Sequence, residues 1–135
     1  MNEHLRFIKR LQKLECGVTA ISIANAKKLV ARFGVPYSIT AHEDENGTKS
    51  VTAEFAVDDA LGWITQQFKF AGFTYGYGGE GPRGFDWFLR WCGINAATNP
   101  AASPVGKYSL WGKPSEESPT KYVILYPREA AVRMY

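Results

Sequence analysis

Two short runs of alternating apolar residues flank Asn46-Gly47, and they commit this stretch of chain to an antiparallel hairpin with one buried face. Tyr37, Ile39 and Ala41 alternate with polar residues before the turn, and Val51, Ala53 and Phe55 do so after it, the period-2 pattern of half-buried strands. A two-residue Asn-Gly loop pairs Glu45 with Thr48. It sets odd residues against even ones, so the two apolar sets face opposite ways. A three-residue loop, Glu45-Asn46-Gly47, pairs Asp44 with Thr48, then Ala41 with Val51, Ile39 with Ala53 and Tyr37 with Phe55. Only this second register buries one continuous face, and it requires Gly47 to adopt the left-handed conformation of a bulge. It also sets His42 opposite Ser50 on the polar face, as a solvated strand residue rather than a ligand or base.

A sheet with one apolar face needs a second layer, and the rest of the chain offers helices for it. Phe7, Ile8, Leu11 and Leu14 recur at helical spacing, with Arg6, Lys9, Arg10 and Lys13 on the opposite side, an amphipathic helix of about three turns. Gly17 is its stop. A second helix is expected over residues 18–33, burying Ile23, Ala26, Leu29, Val30 and Phe33 and ending at Gly34 and Pro36, as Gly then Pro commonly ends helices. The β-branched content of residues 18–23 leaves a short strand there as the rival. Asp58 or Asp59 caps a third helix over about 58–70, lined by Leu61, Ile64 and Phe68; a strand over 68–77 is the alternative. Pro82 opens a fourth helix in which Phe85, Phe88, Leu89 and Cys92 form the buried stripe before Gly93. The small-residue stretch 95–106 is a loop. Lys107–Trp111 and the wholly apolar run Tyr122–Tyr126 form a C-terminal hairpin, 107–126, with the second strand central in the sheet. The remainder from Arg128 is a tail or short edge strand.

The expected fold is thus α+β, one domain over residues 1–135, with about four helices on a small, mainly antiparallel sheet built from two hairpins. In order it comprises a basic helical third (1–35), a hairpin (37–55), a helix (58–70), a Gly-rich loop with a helix (75–93) and the C-terminal hairpin (107–126). A chain of 135 residues fits a single domain with a core of its own. No apolar run is long enough for a membrane span, and the N-terminus lacks a signal-peptide pattern; the expectation is a protein kept in the host cytosol. Cys16 and Cys92 form no CxxC pair and are expected to stay reduced.

The net charge of +3 is unevenly spread. Residues 1–33 hold seven Lys or Arg and two Glu, a net of +5, and the remainder is mildly acidic. The stripe Arg6, Lys9, Arg10, Lys13, joined by Lys27, Lys28 and Arg32, is a candidate surface for nucleic acid or for an acidic protein that mimics it, because such a stripe can follow phosphates. On the fourth helix Trp87 and Trp91 lie off the buried stripe, with Arg83 and Arg90 near them. Trp and Arg are the residue types enriched at interface hot spots, so these four form a candidate protein-binding surface.

The run Tyr75-Gly76-Tyr77-Gly78-Gly79-Glu80-Gly81-Pro82-Arg83-Gly84 leads directly into a helix N-terminus. Free N–H groups and the helix dipole favour an anion at such a place, so Gly79, Gly81, Arg83 and Gly84 form a candidate anion site. The run matches neither a Walker A loop nor the dinucleotide fingerprint, and Glu80 puts a negative charge where a phosphate would sit. It resembles a Gly-Tyr-Gly-Gly-x-Gly-Pro motif of small uncharacterised proteins from phages, plasmids and bacterial genomes. Phe85-Asp86-Trp87-Phe88 departs from the more aliphatic helix of that pattern. The resemblance implies a mobile-element origin and carries over no residue roles.

No GxSxG, HExxH or supported Cys-His pair is present, and two histidines without an acidic cluster argue against a metal site. No cofactor is expected and the balance leans away from an enzyme. The expected function is a stoichiometric binder or inhibitor of a host protein or ribonucleoprotein complex, anti-defence and anti-CRISPR-like, by analogy alone. The alternatives are a nucleic-acid-binding protein using the basic helices, and a small transferase or nuclease-type enzyme with its site at the Gly-rich loop.

Overall fold

The computed structural model describes residues 3–44, 46–59, 62–75, 79–94, 121–127 and 131–134. Within them are three helices, α1 (Glu3–Leu14), α2 (Thr19–Phe33) and α3 (Glu80–Trp91), and five strands, β1 (Ser38–Glu43), β2 (Lys49–Asp59), β3 (Gly62–Phe70), β4 (Lys121–Tyr126) and β5 (Ala131–Met134). The strands form one antiparallel sheet in the order β3-β2-β1-β4-β5. The helices pack on one of its faces, with α1 against β3 and α2, and α2 against β2 and α3.

The first hairpin has the register that buries one continuous face. Ala41 pairs with Val51, Ile39 with Ala53 and His42 with Ser50, and Tyr37 N–H donates to Glu54 C=O at 2.7 Å. Asp44 N–H bonds to Thr48 C=O, Gly47 N–H bonds back to Asp44 C=O, and Gly47 has φ of +80°. Asp44 Oδ1 accepts from the N–H groups of Asn46 and Thr48, both at 2.9 Å, so the turn's first aspartate organises the backbone that follows it. Ile39, Ala41, Val51, Ala53, Phe55 and Val57 are all fully buried on the helix-facing side. His42 lies in the central strand, on the other face, with the fourth strand's Tyr122 as its second register neighbour.

The expected helix over 58–70 is absent. Residues 49–59 continue as one long strand, and 62–70 return beside it in nine consecutive pairs, from Val51 with Phe70 to Asp59 with Gly62. The spacing of Leu61, Ile64 and Phe68 fits a helix, but the period-2 alternation of the first hairpin runs on through Val57 and resumes at Phe68 and Phe70, both buried. Cross-strand pairing along the whole of β2 outweighs a local cap signal. The far end of this second hairpin stands clear of the helices, with Trp63 63% and Ile64 38% exposed. The described residues therefore hold three helices rather than four, and the sheet combines a β1–β2–β3 meander with a β4–β5 hairpin. Of the C-terminal hairpin expected over 107–126, residues 107–120 lie outside the described residues. The run 121–126 is a strand flanked on both sides, by β1 and by β5, and β5 is the sheet edge.

Residues 19–33 are helical rather than a strand followed by a helix. The helix's buried positions include Ser22 and Asn25 beside Ala26 and Leu29, whereas Ile23, Val30 and Phe33 are only partly covered. Burying two polar side chains requires partners, and Glu15 supplies them. Its carboxylate accepts from Ser22 Oγ (2.6 Å), Asn25 Nδ2 (2.6 Å) and Ala71 N–H (2.7 Å). Ser22 Oγ in turn accepts from Gly72 N–H at 2.9 Å, and Thr19 Oγ1 donates to Gly72 C=O at 3.0 Å. These bonds fasten the α1–α2 junction to the end of β3, and so orient α1 and α2 relative to the sheet.

Candidate functional site

The basic residues of α1 are one wall of a groove. Arg6, Lys9, Arg10 and Lys13, with Glu3, line it together with Arg32 of α2, and it encloses about 810 Å³. The helix periodicity that buries Ile8 and Leu11 beneath turns these four cations outward as a single row. Arg32 is held in place from three sides. Its Nε donates to His4 Nδ1 at 3.1 Å, and its guanidinium lies 4.3 Å from the Phe7 ring centre and 5.9 Å from that of Phe33, within cation–π range. Among the described residues that line it are five cations and one carboxylate, a local excess of positive charge in a chain that carries only +3.

The same charge continues along α2. Lys27, Lys28 and Arg32 are all exposed, and Lys27 Nζ stands 5.7 Å from the Trp87 ring centre on α3. Trp87 stacks on Trp91 with ring centres 5.1 Å apart and planes 24° apart. Trp87 is half-buried and packs against the core, while Trp91 keeps 43% of its surface in solvent. The two surfaces that sequence reasoning treats as separate, a basic stripe and an aromatic pair, thus meet at the Lys27–Trp87 contact. Because α2 packs against both α1 and α3, the outer side of the helical layer passes from the α1 groove over α2 to the tryptophans. Arg90 pairs with Asp86 at 3.0 Å, both well exposed, and Arg83 is exposed.

The Gly-rich turn has a different character. Gly76, Tyr77 and Gly78 lie outside the described residues. Gly84 is explained by packing: a Cβ there would sit 3.1 Å from the Phe73 ring and closer still to Thr19 Cγ2, so only glycine lets α3 approach α2 this closely. Arg83 N–H bonds to Gly79 C=O at 3.2 Å inside the helix, and Glu80 stands exposed in its first turn. A cleft of about 410 Å³ opens beside this helix start, with Thr19, Lys49, Thr74 and Glu80 among its lining residues. Lys49 also approaches Glu43 at 3.9 Å and the ring of buried Tyr75 at 5.6 Å. Burial, reinforced by the Glu43 carboxylate, pushes the Tyr75 phenol well above its ordinary range.

Cys92 is buried and Cys16 exposed, both as free thiols. Burial pushes the Cys92 thiol up to about 12, which removes the thiolate a nucleophile needs. Among the described residues no cluster of His, Cys, Asp or Glu could hold a metal ion, and no helix is long and apolar enough to cross a membrane. The residues that sequence reasoning missed are Glu15, Ser22 and Asn25. Their signal was two polar residues on the inward face of an otherwise apolar helix. No protein-family model, no curated protein and no solved structure matches the chain.

Proposed function

We propose that this protein is a small stoichiometric binder that docks the outer side of its helical layer on nucleic acid, within a host nucleoprotein complex that it thereby blocks. The observation that carries this is the continuity of the face. The α1 row and Arg32 line one groove, and Lys27 extends the cationic surface to the stacked Trp87 and Trp91. A positive groove tracks a phosphate backbone, and an exposed aromatic beside it receives an unstacked base, the combination used by binders of single strands. The exposed Trp91 serves equally as an anchor for the protein component of such a complex. The anti-defence setting, in the manner of an anti-CRISPR protein, rests on the resemblance of the Gly-rich run to motifs of phage and plasmid proteins.

The test is binding of labelled single-stranded and duplex oligonucleotides by fluorescence anisotropy over a salt series. The expected result is single-strand affinity that falls steeply with salt, since each phosphate contact releases counterions, and a large loss on the double change Lys9→Glu, Lys13→Glu with the fold retained. Affinity indifferent to both salt and charge reversal would overturn the proposal.

A further inference from the structure

Among the described residues the sheet ends on one side at β3, and the outward groups of that strand are taken up by a described residue at Lys69. Lys69 C=O accepts from Gln12 Nε2 at 2.8 Å, and Lys69 N–H donates to Gln12 Oε1 at 2.9 Å. A side-chain amide from α1 therefore bonds Lys69 as a neighbouring strand would. This fixes which groups of β3 point away from β2. Outward-facing residues alternate along a strand, and the β2–β3 register is unbroken from Phe70 to Gly62. The N–H and C=O groups of Gln67, Thr65 and Trp63 therefore also face outward, and no described residue bonds to them. All three residues are exposed.

Such an edge invites another strand unless charge, proline or a bulge guards it. From Gly62 to Phe68 there is no charged residue, no proline and no bulge. The open interval is also symmetric. It stops at Gly62, where β3 begins, and at Lys69, where Gln12 closes the ladder, and Thr65 lies at its middle. We infer that a second copy of this chain pairs with β3 by antiparallel strand addition about a two-fold axis through Thr65. Thr65 exchanges both bonds with its copy, and Trp63 of each chain pairs with Gln67 of the other. The outward groups left open among the described residues of β3, those of Trp63, Thr65 and Gln67, are then used. With no charge in the segment, the two-fold sets no like charges against each other. The two sheets become one, and the helical faces of both copies stay clear of the seam.

The experiment is sedimentation equilibrium of the full chain over a concentration series, with Thr65→Pro and Thr65→Lys beside the wild type. Proline is tolerated at an edge position whose N–H faces outward, so Thr65→Pro keeps the melting temperature of the wild type and loses the dimer. Thr65→Lys sets two ammonium groups against each other at the axis; its dimer is weakened, and recovers in part at high salt. Wild-type protein that stays monomeric through the series overturns the inference, including the case in which the edge receives a foreign peptide instead. So does a folded Thr65→Pro or Thr65→Lys variant that dimerises as the wild type does. Oligonucleotide binding by the helical face is read separately, so the two proposals fail independently.

Discussion

Glu15 ties the α1–α2 junction to the end of β3. One carboxylate takes donors from Ser22, Asn25 and the backbone of Ala71; its removal leaves the Asn25 amide with only its bond to Leu11 C=O and takes the acceptor from the Ala71 N–H. Hydrogen bonds to a charged acceptor are worth more than neutral ones. Glu15→Ala is expected to cost about 1–3 kcal/mol in chemical denaturation, with Glu15→Gln recovering part of it; an unchanged midpoint for Glu15→Ala would contradict that role. At the cysteines, native protein at mild alkaline pH is expected to release one equivalent in a thiol-labelling assay, from Cys16, and two only when unfolded. The raised thiol also sets a pH dependence. The folded state holds the Cys92 proton to about 12, whereas an unfolded thiol loses it near 8.5. Its contribution to stability is therefore complete below about pH 8.5 and is lost as pH climbs toward 12, and Tyr75, shifted in the same direction, acts with the same sign. The melting temperature should accordingly fall through the alkaline range.

At the scale of elements, the first hairpin and the three helices were legible because each rests on short-range signals. Asn46-Gly47 set the turn, and the 3.6-residue spacing set α1 and α3. Gly34 ended α2. The strand β3 was not legible, because its partner is β2 along nine pairs and its outer half contributes nothing to the core. Ile64 is apolar but exposed, and with Leu61 and Phe68 it imitates a helical stripe. The polar side of α2's buried face was hidden for a related reason, since Glu15 and the end of β3 come together only in the fold. On α3 the two tryptophans separate. Trp87 packs against the core and Trp91 chiefly on Trp87, so Trp87→Ala is expected to cost about 2 kcal/mol of stability. Trp91→Ala should change stability by no more than about 0.5 kcal/mol while weakening oligonucleotide binding. Thermal melts and anisotropy on the pair check both statements, and equal destabilisation by the two changes would contradict the assignment.

For the whole molecule, a small net charge conceals a polarised one. The helical layer concentrates the cations of residues 6–32, and β2's Glu54 sits on the opposite face, where it accepts from Ser38 Oγ at 3.1 Å. Among the described residues, the outer side of the helical layer is exposed at Arg6, Lys9, Arg10, Lys13, Lys27, Lys28 and Arg32. Sequence reasoning found the cations and the tryptophans but not their contact, because Lys27 and Trp87 are far apart in the chain and meet only when α2 packs on α3. The most direct measurement is amide and indole chemical-shift mapping of the isotopically labelled chain titrated with a short single-stranded oligonucleotide. The expected shifts fall on Arg6 to Lys13, on Lys27 to Arg32 and on the Trp91 indole, and they shrink as salt is raised. Shifts confined to the turn at Gly79–Gly84, or none at saturating oligonucleotide, would contradict the proposed docking face.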